Sequence, residues 1–272
     1  MKIIKGVNKG FFANVLDAAR HISHALKNNI SWHVNWDNTP YNDSLKGSNA
    51  WEYFFENNDI IPSGDIVQDY TSLELLECLN FRQTMNYILN KCIKVNKNTQ
   101  HIIDDTVNRL SIDNKTLGVH IRKTDKLIGH LFGEPQNSLP LDVNVYINYI
   151  DILLPNFNKI YIASDDIDDL DNIVKHVEEH HSSKKILYLD AFRSRGSVSI
   201  HHNYDNISGY SKGLEVLVDC CMLSRCGHLI RSTSNVSSAA QFLNLDLTHT
   251  NINEIELGDS REKNYGLISE PI

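Results

Sequence analysis

The sequence predicts an α/β fold in which helices cover both faces of a parallel sheet. Two observations carry that reading. From residue 115 onward, short β-branched runs alternate with segments of helical apolar spacing, which is the pattern of a parallel sheet. The 272 residues, 41% of them hydrophobic, also hold enough apolar side chains for one large or two small cores.

Lys2-Ile3-Ile4 reads as the first strand. Gly6 and Gly10 then precede Phe12, Val15, Leu16, Ala19, Ile22 and Leu26 at helical spacing, giving strand, glycine-bearing turn and helix. Backbone N–H groups at such a helix start can approach an anion, so Gly10 is a candidate contact, although such turns are also common without a ligand. Ile30 to Trp36 alternates as a second strand, and a turn-rich run, Asp37 to Ser44, follows it. The aromatic stretch from Trp32 to Phe55 suits an N-terminal core better than a sugar-stacking surface. A helix is predicted between Ser72 and Ile93. Strands follow at 116–122, 159–163, 185–189 and 228–230, with helices at 168–177, 213–223 and 236–243.

Composition narrows the function. With 26 Lys+Arg against 34 Asp+Glu and a formal charge of −8, no basic stripe is available to track a nucleic acid. Cys78, Cys92, Cys220, Cys221 and Cys226 contain no C-x-x-C pair, which fits reduced thiols and a cytoplasmic location. Residues 1–10 lack a signal-peptide apolar region, and no run approaches the ~20 apolar residues of a membrane helix.

Ligands of parallel sheets bind beyond the carboxyl ends of the strands. His120 and Arg122 project the same way at one such end, where Lys123, Thr124, Asp125 and Lys126 turn over the tip. Arg122 can fork onto a phosphate, Lys126 can add a point charge, and Asp125 can orient an arginine or accept from a ribose hydroxyl. A solvated basic turn gives the same pattern. Ser232, Thr233 and Ser234 lead from a strand into a helix, where hydroxyls and orphan N–H groups suit a diphosphate and equally an ordinary N-cap. In 163–171 the carboxylates, Asp165 and Asp166 among them, suggest compensation of a helix dipole more than a metal site. Asp165 and Asp166 are kept as ligand contacts from the strand end. The pairs His180-His181 and His201-His202 point apart on regular structure and read as solvated loops. Cys220-Cys221 reads as packing. Asp219, on the same apolar helix, needs a partner: a helix or sheet donor, or the N1–H and amino group of a guanine.

Gly118-Val119-His120-Ile121-Arg122-Lys123-Thr124-Asp125-Lys126 resembles the H-x-R-R-x-D-K motif of the α-1,6-fucosyltransferases and their rhizobial nodulation relatives. Tyr161 to Asp166, Gly213 to Ser224 and His228 to Val236 resemble that family's following motifs in the same order, so the likeness spans residues 115–243. The resemblance implies a GT-B-like α/β fold: two Rossmann-like lobes with a cleft between them. Residues 1–112 would form an N-terminal lobe on the acceptor side, 113–250 a lobe binding the GDP-sugar, and 251–272 a segment returning to the first lobe. It further implies an inverting, metal-independent glycosyltransferase that takes GDP-fucose as donor substrate and needs no cofactor. The acceptor is an oligosaccharide or glycoconjugate hydroxyl. Arg122 would bind the β-phosphate and assist the leaving group, Lys126, Ser232, Thr233 and Ser234 would contact phosphates, and His120 and Asp219 would face guanosine. The second motif arginine is Lys123 here, which lacks the bidentate fork. Where the α-1,6 enzymes carry an acceptor-side Glu, this chain offers His130 at the matching distance and Glu134 four residues later as candidate bases. A transferase for another nucleotide sugar, or a non-catalytic nucleotide- or carbohydrate-binding protein, remain the alternatives.

Overall fold

The computed structural model describes residues 1–56, 79–124, 140–195 and 207–258. Strand β1 (Lys2–Lys5) leads through helix α1 (Phe11–Lys27) to strand β2 (Trp32–Asn35), which pairs parallel to it with Ile4 opposite Val34. A 3₁₀ turn at Ala50–Tyr53, helix α2 (Phe81–Tyr87) with a π-helical turn Ile88–Cys92, and helix α3 (Lys97–Leu110) follow. The helix read from Ser72 to Ile93 is borne out from residue 81, where Asn80 and Gln83 form a capping box; its stretch through residue 78 lies outside the described residues.

Next come β3 (Thr116–Ile121), α4 (Val143–Leu153), β4 (Lys159–Ser164), α5 (Ile167–His180), β5 (Lys185–Leu187), α6 (Gly209–Leu223), β6 (His228–Arg231), α7 (Asn235–Leu243), β7 (Thr248–Asn251) and α8 (Ile252–Leu257). These five strands form one parallel sheet in the order β5-β4-β3-β6-β7. The chain runs from β3 outward to β5, then returns to the other side of β3. The crevice beyond the carboxyl ends of β3 and β6 is therefore a topological switch point.

Strand periodicity divides the sheet's side chains between two cores. Leu117, Val119, Ile121, Ile160, Ile162 and Ile230 pack with Tyr146 and Ile150 of α4, Ile173 and Val177 of α5, and Ile252 of α8. Tyr161, Ala163 and Leu229 belong to the other core, with Leu217 and Leu223 of α6 and Ala240 and Phe242 of α7. That second core is continuous with the N-terminal aromatics. Phe11 meets Phe54 and Trp36 edge-on, with ring centroids 5.0 and 5.5 Å apart, so this aromatic stretch is interior, as its sequence suggested. Of the C-terminal stretch, α8 packs against β6, and the Tyr149 hydroxyl donates to Glu256 at 2.7 Å.

Two glycines let α6 press against the N-terminal region. A Cβ on Gly213 would lie 2.5 Å from Phe54 Cζ, and one on Gly209 would lie 2.4 Å from the carbonyl oxygen of Asn42. Backbone cannot rotate away as a side chain can. Gly209→Ala is therefore expected to destabilise the protein by about 1–3 kcal/mol, read as a lower urea midpoint at unchanged slope.

No helix among the described residues is long and apolar enough to cross a membrane. Cys92, Cys220, Cys221 and Cys226 are free and buried, and Cys78 lies outside the described residues.

Candidate active site

Asp165 ties the carboxyl ends of β3 and β4 together. The register that sets Ile121 opposite Ser164 brings Asp165, the next residue, to the tip of β3. Its Oδ2 accepts from Arg122 Nη1 at 2.9 Å and from the Thr124 hydroxyl at 2.8 Å, while Oδ1 accepts the Lys123 backbone N–H at 3.0 Å. Three donors on one carboxylate fix the turn, and the charge-assisted bond orients the Arg122 guanidinium. Both ion-pair partners are largely shielded from water, at 17% and 13% side-chain exposure.

Lys123 and Asp166 serve a neighbouring purpose. Asp166 caps α5 by accepting the Asp169 N–H at 3.0 Å. The Lys123 ammonium lies 2.6 Å from Asp169 Oδ1 and 3.5 Å from Asp166 Oδ1. Burial works against that ammonium, but bonds and charge from Asp169 and Asp166 outweigh it and hold its pKa above the usual lysine value. Burial likewise raises the Asp169 carboxyl, and Lys123 opposes the rise. Lys123→Ala is expected to cost about 2–3 kcal/mol, since it strands a buried carboxylate. The loss should be larger at pH 8 than at pH 4.5. An unpartnered Asp169 has a folded pKa raised further above its unfolded value, so the folded state loses stability as pH rises through that window. Urea titrations at both pH values measure the difference.

An open cleft lies at the switch point, lined by β3, the end of β4, the segment at Ala191–Phe192, α6 and Val236 at the start of α7. His120 and Arg122 enter it from β3. His120 is 5% exposed, and its Nδ1 has no hydrogen-bond partner among the described residues. Burial, assisted by the charges of Arg122 and Arg231, pushes its pKa down to about 3, so the ring is neutral. From α6, Lys212, Glu215, Val216 and Asp219 enter together because residues three, four and seven apart share a helix face. Lys212 is only 8% exposed. Asp219 accepts a hydrogen bond from the Tyr161 hydroxyl. Burial raises the Asp219 carboxyl to about 6, and the Tyr161 bond and the Arg193 charge restrain the rise. Glu215 is also raised by burial, while it accepts the Phe192 N–H at 3.2 Å.

The hydroxyl segment lies at the end of β6, with Thr233 and Ser234 engaged and the buried Ser232 Oγ without a hydrogen-bond partner among the described residues. Ser234 caps α7, accepting the Val236 N–H at 3.3 Å. The Thr233 N–H donates to Asn253 Oδ1 at 2.9 Å, and Asn251 Nδ2 donates to the Thr233 hydroxyl at 3.1 Å. Ser232 is buried, its backbone N–H donating to the His120 carbonyl at 3.3 Å. Beneath them Arg231 is fully buried and donates to Ser237 Oγ at 2.8 Å. Gly10 caps α1 in a turn held by Asn14, whose side chain accepts the Val7 N–H at 2.9 Å and donates to the Val7 carbonyl at 3.0 Å. A Cβ on Gly10 meets nothing within 4 Å, so packing among the described residues does not require glycine there.

The structure thus brings His120, Arg122, Asp165 and Asp219 into one cleft. Lys123 and Asp166 are directed to the start of α5, and Ser232, Thr233 and Ser234 stand beside the cleft rather than among the residues that line it. Asp125, Lys126, His130 and Glu134 lie outside the described residues. Sequence reasoning missed Lys212, Glu215 and Phe192. The first two were legible as positions seven and four residues before Asp219 on one helix face. Chemically, the cleft offers cations at Arg122 and Lys212, an unfilled acceptor or donor at His120, and a carboxylate at Asp219. That set suits a ligand with an anionic end and an end rich in N–H donors.

No protein-family model and no curated sequence matches this chain. Among solved structures, a NodZ α-1,6-fucosyltransferase soaked with GDP-fucose is similar at a TM-score of 0.57 and 16% identity, over 89% of this chain and 91% of that one. The fucosyltransferase NodZ from Bradyrhizobium is similar at 0.54 and 16%, over 89% and 92%. POFUT1 in complex with GDP is similar at 0.55 and 7%, over 92% and 96%. The α/β architecture read from the sequence is therefore the fold of GT-B-like fucosyltransferases.

Proposed function

We propose that the protein is an inverting, metal-independent fucosyltransferase that moves fucose from GDP-fucose to a hydroxyl of an oligosaccharide or glycoconjugate. The observation that carries this is the cleft at the switch point, where Arg122, oriented by Asp165, shares a lining with Asp219 and with the unfilled Nδ1 of His120. Solved structures similar in fold include NodZ α-1,6-fucosyltransferase soaked with GDP-fucose or co-crystallised with GDP, and POFUT1 in complex with GDP. On this reading the diphosphate lies against Arg122 and Lys212, with Lys126 as a further cation. Guanine donates N1–H and its amino group to Asp219, and His120 contacts the nucleoside. As the glycosidic bond breaks, negative charge grows on the β-phosphate, so a fixed guanidinium stabilises the transition state more than the ground state. His130 or Glu134 takes the acceptor proton. The N-terminal region, residues 1–112, presents the acceptor.

The test is a thermal-unfolding panel with GDP, GDP-fucose, ADP, UDP and CDP, run without added metal. A ligand at about 100 times its Kd stabilises by about 2.7 kcal/mol, a midpoint shift of several degrees. A shift confined to the guanine compounds, followed by transfer from GDP-fucose on an acceptor panel, is the expected result. A shift with UDP instead, or only with magnesium, sinks the donor assignment. GDP binding without any turnover points to a non-catalytic nucleotide-binding protein.

A further inference from the structure

We propose that Asp151, His176 and His181 form a binding site for a divalent transition cation of the zinc class, separate from the cleft. His176 Nε2 and His181 Nε2 each lie 2.7 Å from the same oxygen, Asp151 Oδ1. Asp151 comes from α4, His176 from the last turns of α5, and His181 from the residue that ends α5. His181 has left the helix, with φ −132° and ψ 42°, which swings its ring back beside that of His176. Five residues apart on a continued helix, the two imidazoles would point in different directions.

The three ligand atoms lie within 4.8 Å of one another. Tetrahedral zinc at about 2.0–2.1 Å from each ligand sets neighbouring ligand atoms about 3.3 Å apart. Opening the observed 2.7 Å separations to that value takes a few tenths of an ångström on each side chain. Asp151, at 45% side-chain exposure, has room to give, while the imidazoles, at 18% and 15%, are held in place. Ile150, next to Asp151, and Ile173 and Val177, flanking His176, are buried in one core, so the two helices are locked beneath the site. Two imidazoles and one carboxylate favour zinc over magnesium or calcium, which take mainly oxygen ligands. Three protein ligands leave one position for water. The 14 residues of α5 separate this site from Asp166 by about 20 Å, so a cation here pins α4 to α5 without reaching the cleft.

Calorimetric titration of the full chain with zinc chloride, with magnesium chloride as control, tests the site. The expected result is one saturable zinc site per chain with a Kd on the order of 1 µM or tighter, no magnesium binding, and tetrahedral cobalt absorption bands when cobalt(II) is used. His176→Ala and His181→Ala should each weaken zinc by more than the roughly 10- to 100-fold that loss of a supporting residue costs. Far-UV circular dichroism confirms that the variants are folded, and Asp151→Asn, a change at a half-exposed side chain, repeats the comparison if either histidine variant is unstable. Zinc binding that survives these substitutions unchanged, or no saturable binding below 1 mM, overturns the proposal.

Discussion

Arg122→Ala is expected to lower kcat for transfer from GDP-fucose by roughly 10²- to 10³-fold, the usual consequence of removing one preorganised donor from developing negative charge. The fold should survive. Asp165, the partner left behind, still accepts from the Lys123 N–H and the Thr124 hydroxyl, so its carboxylate is not stranded. GDP binding should weaken far less than turnover, because the guanidinium acts on charge that appears as the bond breaks. Arg122→Lys should recover only part of the rate, since an ammonium keeps the charge and loses the planar fork. Steady-state kinetics alongside a melting curve decide between roles. If Arg122→Ala melts early and its remaining folded fraction turns over normally, Arg122 is a brace for the β3–β4 turn and not a catalytic group.

Asp219→Asn should have the second large effect, and of opposite sign on binding and on stability. An amide in place of the carboxylate presents an N–H₂ toward guanine donors, or else a single acceptor where two donors call for a charged pair. GDP affinity is expected to fall by roughly 10- to 100-fold, and discrimination against ADP to shrink with it. The same substitution should stabilise the empty protein at alkaline pH. The Asp219 carboxyl titrates at about 6 in the folded state, chiefly because burial disfavours its charged form. Its folded pKa thus exceeds its unfolded value. The folded state binds the proton more tightly, and wild-type stability falls as pH rises from about 4 through 6. Above that window the ionised carboxylate costs on the order of 2–3 kcal/mol, which a neutral amide still able to accept from Tyr161 avoids. Melting curves at pH 5 and pH 8 should show wild type and variant close at the lower pH and separated at the higher. GDP affinity of the wild type should rise over the same interval, as Asp219 ionises. An Asn variant that binds GDP as tightly as wild type at pH 8 removes Asp219 from base recognition.

Strands with apolar runs were legible in the sequence almost residue for residue. Thr116 to Ile121 and Lys159 to Ser164 are buried on both faces, and such strands announce themselves by continuous apolar or β-branched character. Strand β7, Thr248–Asn251, was not read. Its residues are Thr, His, Thr and Asn, and the last three are buried: Thr250 bonds the His228 ring at 3.0 Å, Asn251 donates to the Thr233 hydroxyl at 3.1 Å, and His249 Nε2 has no hydrogen-bond partner among the described residues. Polar burial of this kind leaves no hydropathy signal. Helix α3 was missed for a related reason: it opens on Lys-Asn-Thr-Gln, and its inward face includes Thr99 and Thr106. Helix α4 went unread beside the stretch at 125–139.

For the cleft, residues on one element were readable and pairings between elements were not. His120 and Arg122 follow from strand alternation. That Asp165 would clamp Arg122, and that Lys123 would be drawn to Asp169 rather than to a ligand, depends on the register of β3 against β4. The histidine pair at 180–181 shows the same limit, since His181 meets His176 only because the helix has ended between them.

Sheet order also governs when the cleft comes into being during synthesis. β3, β4 and β5 follow one another in the chain and can associate while later residues are still in the ribosome, but Leu117 finds its neighbour His228 only after β6 has emerged. Closing so long a segment is slow, and the crevice has no second wall until it happens. Chains truncated after β5 therefore hold three of the five strands with an open edge at β3, a surface that invites chaperone capture or edge-to-edge association. On the proposed function, nucleotide capture is the last property the nascent protein acquires, which makes it a reporter of finished folding rather than of sheet formation.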